Sequence, residues 1–156
     1  IVDLTSGFLT PVLLPAVTFI TASIISFSTG SSWATMSILV PVTVPMSIQL
    51  LGGEGNQVVQ DPIFLSTFAG VLSGSVFGDH CSPISDTTVL SSTATGSDHI
   101  DHVRTQLPYA VISGVIALLS GYIFTGLGIS FIVSLSIGLV LVIGVLKIFG
   151  KPVLHE

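Results

Sequence analysis

Long apolar stretches interrupted by short polar clusters set the plan of the chain. Apolar residues run from about Phe8 to Phe27 and from about Ala34 to Leu51, with Ser28-Thr29-Gly30-Ser31-Ser32 between them. A third stretch, Ile63 to Phe77, stops at Gly78, and a shorter, moderately apolar piece, Val89 to Thr95, follows the polar run 78 to 88. Two last apolar segments, Tyr109 to Leu127 and Phe131 to Ile148, flank the tight turn Gly126-Leu127-Gly128 and read as a helical hairpin. A hydrocarbon core of about 30 Å takes about 20 helical residues to cross. The first and last pairs of segments have that length; 63 to 77 is too short alone and, with 89 to 95, reads as one helix broken in the middle.

This pattern predicts an all-α membrane protein, a helical transmembrane bundle with a re-entrant hairpin and a discontinuous helix. A single transmembrane domain is expected over 1–156: hairpin 10–51, external loop 52–62, broken helix 63–97, cytoplasmic amphipathic segment 98–107, and helices 108–127 and 131–149. The loop is marked by glycine and polar residues and by Asp61-Pro62, a turn signal. In 97 to 107, Ile100, Val103 and Leu107 recur at helical spacing among charges, which predicts a short surface helix. Pro11 and Pro15, then Pro41 and Pro45, are expected to kink the two hairpin helices. Kinked helices need neighbouring protein to satisfy the freed carbonyls, so both should lie inside a bundle.

Composition agrees with a membrane setting. The 156 residues are 49% hydrophobic and 7% charged, whereas soluble domains carry about 25% charged residues. No Asp, Glu, Lys or Arg occurs between Asp3 and Glu54 or between Arg104 and Lys147. A net charge of −5 with three basic residues excludes nucleic acid as a partner. The lone Cys81 excludes a disulfide framework and a four-cysteine zinc site. Arg104, Lys147 and Lys151 fall on one side if the last two segments form a hairpin and 63–97 crosses once, and the positive-inside rule puts that side, with the C-terminus, in the cytoplasm. The chain reads as a piece of a longer polypeptide.

The candidate chemistry lies in the two polar interruptions. Unpaired backbone in hydrocarbon costs several kcal/mol per group, so a break at membrane depth survives only inside protein or along an aqueous cavity. Broken helices place helix ends and free carbonyls where ions can be held. The second break carries Asp79 and Asp86 with the hydroxyls of Ser82, Ser85, Thr87 and Thr88, a hard-oxygen set suited to Na+ or H+. Asp79 falls at the C-terminal end of the preceding half-helix, where an anion is disfavoured and a bound cation would offset the cost. The alternative is an ordinary loop in which Asp86 caps a helix starting at Thr87.

The first break offers Thr29, Ser31 and Ser32 without formal charge; Ser31 or Ser32 can cap the helix starting near Trp33. A re-entrant hairpin with its tip at the midplane and two full spans both fit its length, and the hydroxyl-rich glycine turn favours the first. Zinc at His80-Cys81 lacks a full ligand set. His99 and His102, one turn apart beside Asp98 and Asp101, suit a solvated surface, with pH sensing as the alternative. No Gly-x-Ser-x-Gly elbow occurs, and the chain is not expected to be an enzyme.

The run Gly78-Asp79-His80-Cys81-Ser82-Pro83-Ile84-Ser85-Asp86-Thr87-Thr88, then Leu90-Ser91-Ser92 and Asp98-His99-Ile100-Asp101-His102-Val103-Arg104-Thr105-Gln106-Leu107-Pro108-Tyr109-Ala110, resembles the C-terminal half of the NhaC family of Na+/H+ antiporters. Thr29-Gly30-Ser31-Ser32-Trp33-Ala34-Thr35 looks like that family's other polar motif. The resemblance covers roughly residues 10 to 125 and is specific between 78 and 110. It implies one repeat of a secondary transporter in which each of two inverted repeats holds a re-entrant hairpin and a broken helix.

The expected function is Na+/H+ antiport by alternating access, in a bacterial inner membrane. Ion or proton binding is expected at Asp79, Asp86, Ser82, Ser85 and Thr87, with Na+ at the two carboxylates, and substrate or ion binding at Thr29, Ser31 and Ser32 of the hairpin tip. The alternative is sodium-coupled exchange or symport of a small organic acid or amino acid, and a rival of another class is a membrane subunit without transport of its own. No cofactor is expected beyond Na+ and H+ as transported ions. The expected partners are membrane lipid and the missing N-terminal half, and a homodimer is compatible.

Overall fold

A computed structural model describes residues 10–52 and 55–150 of the chain. Glu54, Lys151 and the C-terminus, on which part of the loop and orientation expectations rest, lie outside the described residues.

Turn chemistry sets each helix boundary. A 3-10 turn, Pro11–Leu13, leads into α1, Leu14–Thr29, with Pro15 in its first turn. Pro11 and Pro15 therefore start this helix instead of kinking it, since a first-turn N–H has no intrahelical partner to lose. Gly30 ends α1 with φ +67° and donates its N–H to the Ser26 carbonyl. Ser31 caps α2, Ser32–Leu51, by accepting from Ala34 N at 3.3 Å, and Pro41 and Pro45 lie within α2. Past Gly52 comes a single helical turn, Gly55–Val58.

Asp61 caps α3, Pro62–Cys81, by accepting from Ile63 N at 2.7 Å. The helix spans 20 residues and continues through Gly78, Asp79 and His80. The polar run is thus mostly helical, and the break is only Ser82 to Ser85. Helix α4, Asp86–Thr95, follows and ends at Gly96. Its cap is Ser85, whose hydroxyl accepts from Thr87 N at 3.2 Å, and Asp86 is the first helical residue.

Residues 98 to 107 do not form a separate surface helix. Asp98 caps α5, His99–Gly126, which runs 28 residues with a π-helical stretch at Ala117–Ile123. At 1.5 Å per residue such a helix is about 42 Å long, more than the hydrocarbon core, so its first turns lie alongside α4 without a break. A turn at 127–130 reverses the chain into α6, Phe131–Phe149. Helices α2, α5, α6 and Pro11–Thr29 are long and apolar enough to cross a membrane, whereas α3 does not reach that standard.

The tightest packing joins α1 to α3. A Cβ on Gly70 would lie 2.9 Å from the Pro15 carbonyl oxygen, and those on Gly74 and Gly78 would meet the Phe19 and Ser23 carbonyl oxygens more closely still. Glycines four apart thus form a groove into which the α1 backbone settles. Close approach of this kind replaces the hydrophobic driving force that lipid does not supply. Hydroxyls cross the seam: Ser26 Oγ donates to the Ser75 carbonyl at 2.6 Å and Thr18 Oγ1 reaches that of Thr67 at 3.4 Å. Ala22, Leu39 and Val71 join α1, α2 and α3 in a small apolar core, and Phe19 stacks on Phe77 and Tyr122 with ring centroids 5.7 and 4.9 Å away. Helix α6 is mostly exposed.

Candidate functional site

Asp79 occupies the last turn of α3 and is 7% exposed. Its Oδ2 accepts from Ser32 Oγ at 3.2 Å and its Oδ1 from Ser85 Oγ at 2.6 Å. Ser32 is the first residue of α2, and Ser85 is the cap of α4. The carboxylate is therefore held between the N-termini of two helices, whose partial positive charge favours an anion, while the end of its own helix disfavours one. Hydrogen bonds from hydroxyls supplement this field, and neither partner carries a charge.

The hairpin tip reaches the break through backbone geometry as well. A Cβ on Gly30 would lie 2.9 Å from the Ile84 carbonyl oxygen, and its φ of +67° is left-handed, so glycine alone meets both demands there. Ser82, fully buried, donates to the Phe27 carbonyl at 2.8 Å, tying the break to the last turn of α1. The seam and the tip thus set the distance between Ser32 and Asp79.

The remaining candidates divide. Ser32, Ser85 and Thr87 form one connected group with Asp79, because the Ser85 and Thr87 hydroxyls share a hydrogen bond at 2.7 Å. Ser31 is committed to capping α2. Thr29 Oγ1 lies 3.4 Å from the Ser26 carbonyl and 3.5 Å from Thr35 Oγ1, away from the carboxylate's own hydrogen bonds. Asp86 is exposed in the first turn of α4, where the helix N-terminus favours its charge.

Comparison with known proteins fits a membrane transporter. The Na+/H+ antiporter family model matches residues 1–127. The chain belongs to the Na+/H+ antiporter family. It is a multi-pass membrane protein. Among its relatives, an uncharacterised protein of Haemophilus influenzae is 37% identical across 93% of this chain and 27% of its own length. The malate-2H+/Na+-lactate antiporter of Bacillus subtilis is 35% identical across 76% and 24% respectively, and the Na+/H+ antiporter NhaC of Alkalihalophilus pseudofirmus 32% across 67% and 21%. The chain spans about a quarter of the length of these curated relatives. No solved structure matches it.

Sequence reasoning passed over the Gly70-Gly74-Gly78 stripe, although glycines at i, i+4 and i+8 within an apolar run are the signal of a helix seam. It also assigned the cap to Asp86 in the loop alternative, where Ser85 holds it. Of Ser31 and Ser32 it could not say which would cap α2 and which would be left to bond a neighbour.

Proposed function

We propose that the full-length protein is a cation-coupled secondary transporter that exchanges Na+ for H+, with Asp79 as the group that holds either cation. The observation that carries this reading is the buried carboxylate clasped by Ser32 of the hairpin and Ser85 of the helix break. A carboxylate taken out of water needs a compensating charge or a proton. Its partners here are neutral hydroxyls and the partial positive charge of two helix N-termini, short of a full unit charge, so a bound cation or a proton completes the compensation, and the two compete for one site. Sodium binding expels the proton and proton binding expels sodium, which is the coupling that exchange requires.

In this scheme the Asp79 carboxylate and the Ser32 and Ser85 hydroxyl oxygens supply hard ligands for Na+. Asp86 and Thr87 stand at the mouth of α4, where the carboxylate raises the local cation concentration. Alternating access moves the hairpin tip relative to the break, making and breaking the clasp. The hairpin takes the re-entrant form, with its tip at the midplane, and the rest of the full-length protein supplies the remaining ligands. The C-terminus and Arg104 lie in the cytoplasm of a bacterial cell, and two copies assemble in the inner membrane.

A second reading is sodium-coupled exchange of a small organic acid. It is favoured by the similarity to the malate-2H+/Na+-lactate antiporter. Full-length protein in proteoliposomes with an internal pH dye separates the two. Proton flux on adding NaCl alone supports Na+/H+ exchange; flux that appears only with malate, lactate or another small acid supports the second reading.

A further inference from the structure

We infer that the cavity between α3, α4 and the first turns of α5 is an aqueous entrance through which the transported cation reaches Asp79. The inference rests on the reading of Asp79 given above and names the path to that residue.

The cavity measures about 330 Å³ and is lined by His80, Thr87, Thr88, Ser91, His102 and Gln106. Every one of these side chains is polar, in a chain where most of the surface is apolar. Thr87 is the link to the site: it lines the cavity, and its hydroxyl bonds Ser85 Oγ at 2.7 Å, which in turn bonds Asp79 Oδ1 at 2.6 Å. Two hydroxyls therefore separate the cavity from the carboxylate. The other carboxylate oxygen faces Ser32 of the hairpin tip instead. Each oxygen of Asp79 thus belongs to a different side of the site, which is the arrangement a doubly accessible site needs.

A second observation points to an occupant. Among the described residues most buried hydroxyls are bonded, many of them to the carbonyl three or four residues back, as in Thr43, Ser75, Ser92 and Ser120, and those of Thr88 and Ser134 are the exceptions. Thr88, at 3% exposure, lines the cavity and its Oγ1 has no hydrogen-bond partner among the described residues. An unpaired buried hydroxyl costs about 1–3 kcal/mol, and a rotation of the Thr88 side chain towards the cavity it lines would let water there satisfy it. The lining holds oxygen and nitrogen ligands without a carboxylate. A cation can therefore enter without being trapped, as conduction requires. The walls are fixed by the polar contacts between Ser91 Oγ and His102 Nε2, at 3.1 Å, and between the Gln106 side-chain amide and the His80 carbonyl.

The test uses the full-length transporter in proteoliposomes, with Cys81→Ala and no other cysteine. Ser91→Cys, on the cavity wall, and Thr105→Cys, exposed on α5 outside the lining, are treated with a membrane-impermeant cationic methanethiosulfonate. Both should react. Labelling of Ser91→Cys should slow exchange by at least about tenfold, equivalent to about 1.4 kcal/mol on the barrier, with recovery on reduction. Labelling of Thr105→Cys should leave the rate unchanged. If Ser91→Cys is inactive before labelling, Gln106→Cys on the opposite wall takes its place. Failure of the wall cysteine to react, or full exchange after it has reacted, would overturn the entrance while leaving Asp79 as the carrier. Parental exchange by Asp79→Asn would instead remove the carrier itself.

Discussion

Replacing Gly78 by alanine inserts one methyl group where α3 meets the backbone of α1. That Cβ would fall against the Ser23 carbonyl oxygen and 2.8 Å from the Phe27 amide nitrogen. Both are backbone atoms, so no rotamer change relieves the overlap. Ordinary van der Waals contact begins at 3.4 Å, and restoring it requires the helices to part by about 1 Å at this point. Overpacking of this kind costs about 1–3 kcal/mol. The displacement reaches the site because Phe27, beside the added methyl, also accepts the Ser82 hydrogen bond, and the turn that follows carries Ser32. The Ser32 to Asp79 distance is 3.2 Å, and lengthening it by about 1 Å breaks the hydrogen bond. Gly78→Ala should therefore lower the melting temperature in detergent and slow Na+-driven proton flux together. Gly70→Ala, whose nearest contacts are 2.9 Å away, should do both to a smaller degree. Gly144→Ala, with open space at its Cβ position, should do neither. Parental stability and flux in Gly78→Ala would refute the close α1–α3 seam and its control of the site.

Ser85→Ala removes the α4 cap and a donor to Asp79 at once. The expected cost is about 1 kcal/mol for the cap and about 2 kcal/mol for the bond to a carboxylate, with loss of exchange. Ser85→Thr, which keeps the oxygen, should retain most of both, and equal behaviour of the two variants in flux and thermal melts would contradict the dual role. For orientation, Gln57→Cys and Lys147→Cys, both exposed, should label with an impermeant maleimide from opposite faces of the membrane. Labelling of both from one face would contradict the single crossing of residues 63–97.

What the sequence made legible was set by composition along short stretches. Apolar length marks α2, α5 and α6, and the rarity of charge marks Asp79 as a costly group that some neighbour must compensate. What it concealed was decided by contacts between distant segments. Gly78 looks like the end of a helix because glycine and aspartate are weak helix formers, yet α3 continues because α1 packs over that glycine and the N-termini of α2 and α4 hold Asp79. Pro11 and Pro15 share the spacing of Pro41 and Pro45, but the first pair falls in the opening turns, where proline is tolerated, and the second lies inside α2. Residues 98 to 107 carry Ile100, Val103 and Leu107 at helical spacing, yet it is His99 and His102 that bring the first turns of α5 against α4, while Ile100 and Leu107 are exposed. That helical spacing alone could not distinguish a surface helix from the start of a long one.

The central claim is that one buried carboxylate serves both cations, and Asp79→Asn tests it most directly. Asparagine keeps the size of the side chain and one oxygen, so the clasp by Ser32 and Ser85 can persist while the exchangeable proton and the charge are gone. The measurement is Na+-driven proton flux from full-length protein in proteoliposomes across a range of pH, with melting and elution profiles checked against the parent. A well-folded Asp79→Asn protein with flux no greater than protein-free vesicles at every pH is the predicted result. Flux at the parental rate with the parental pH dependence would contradict the account.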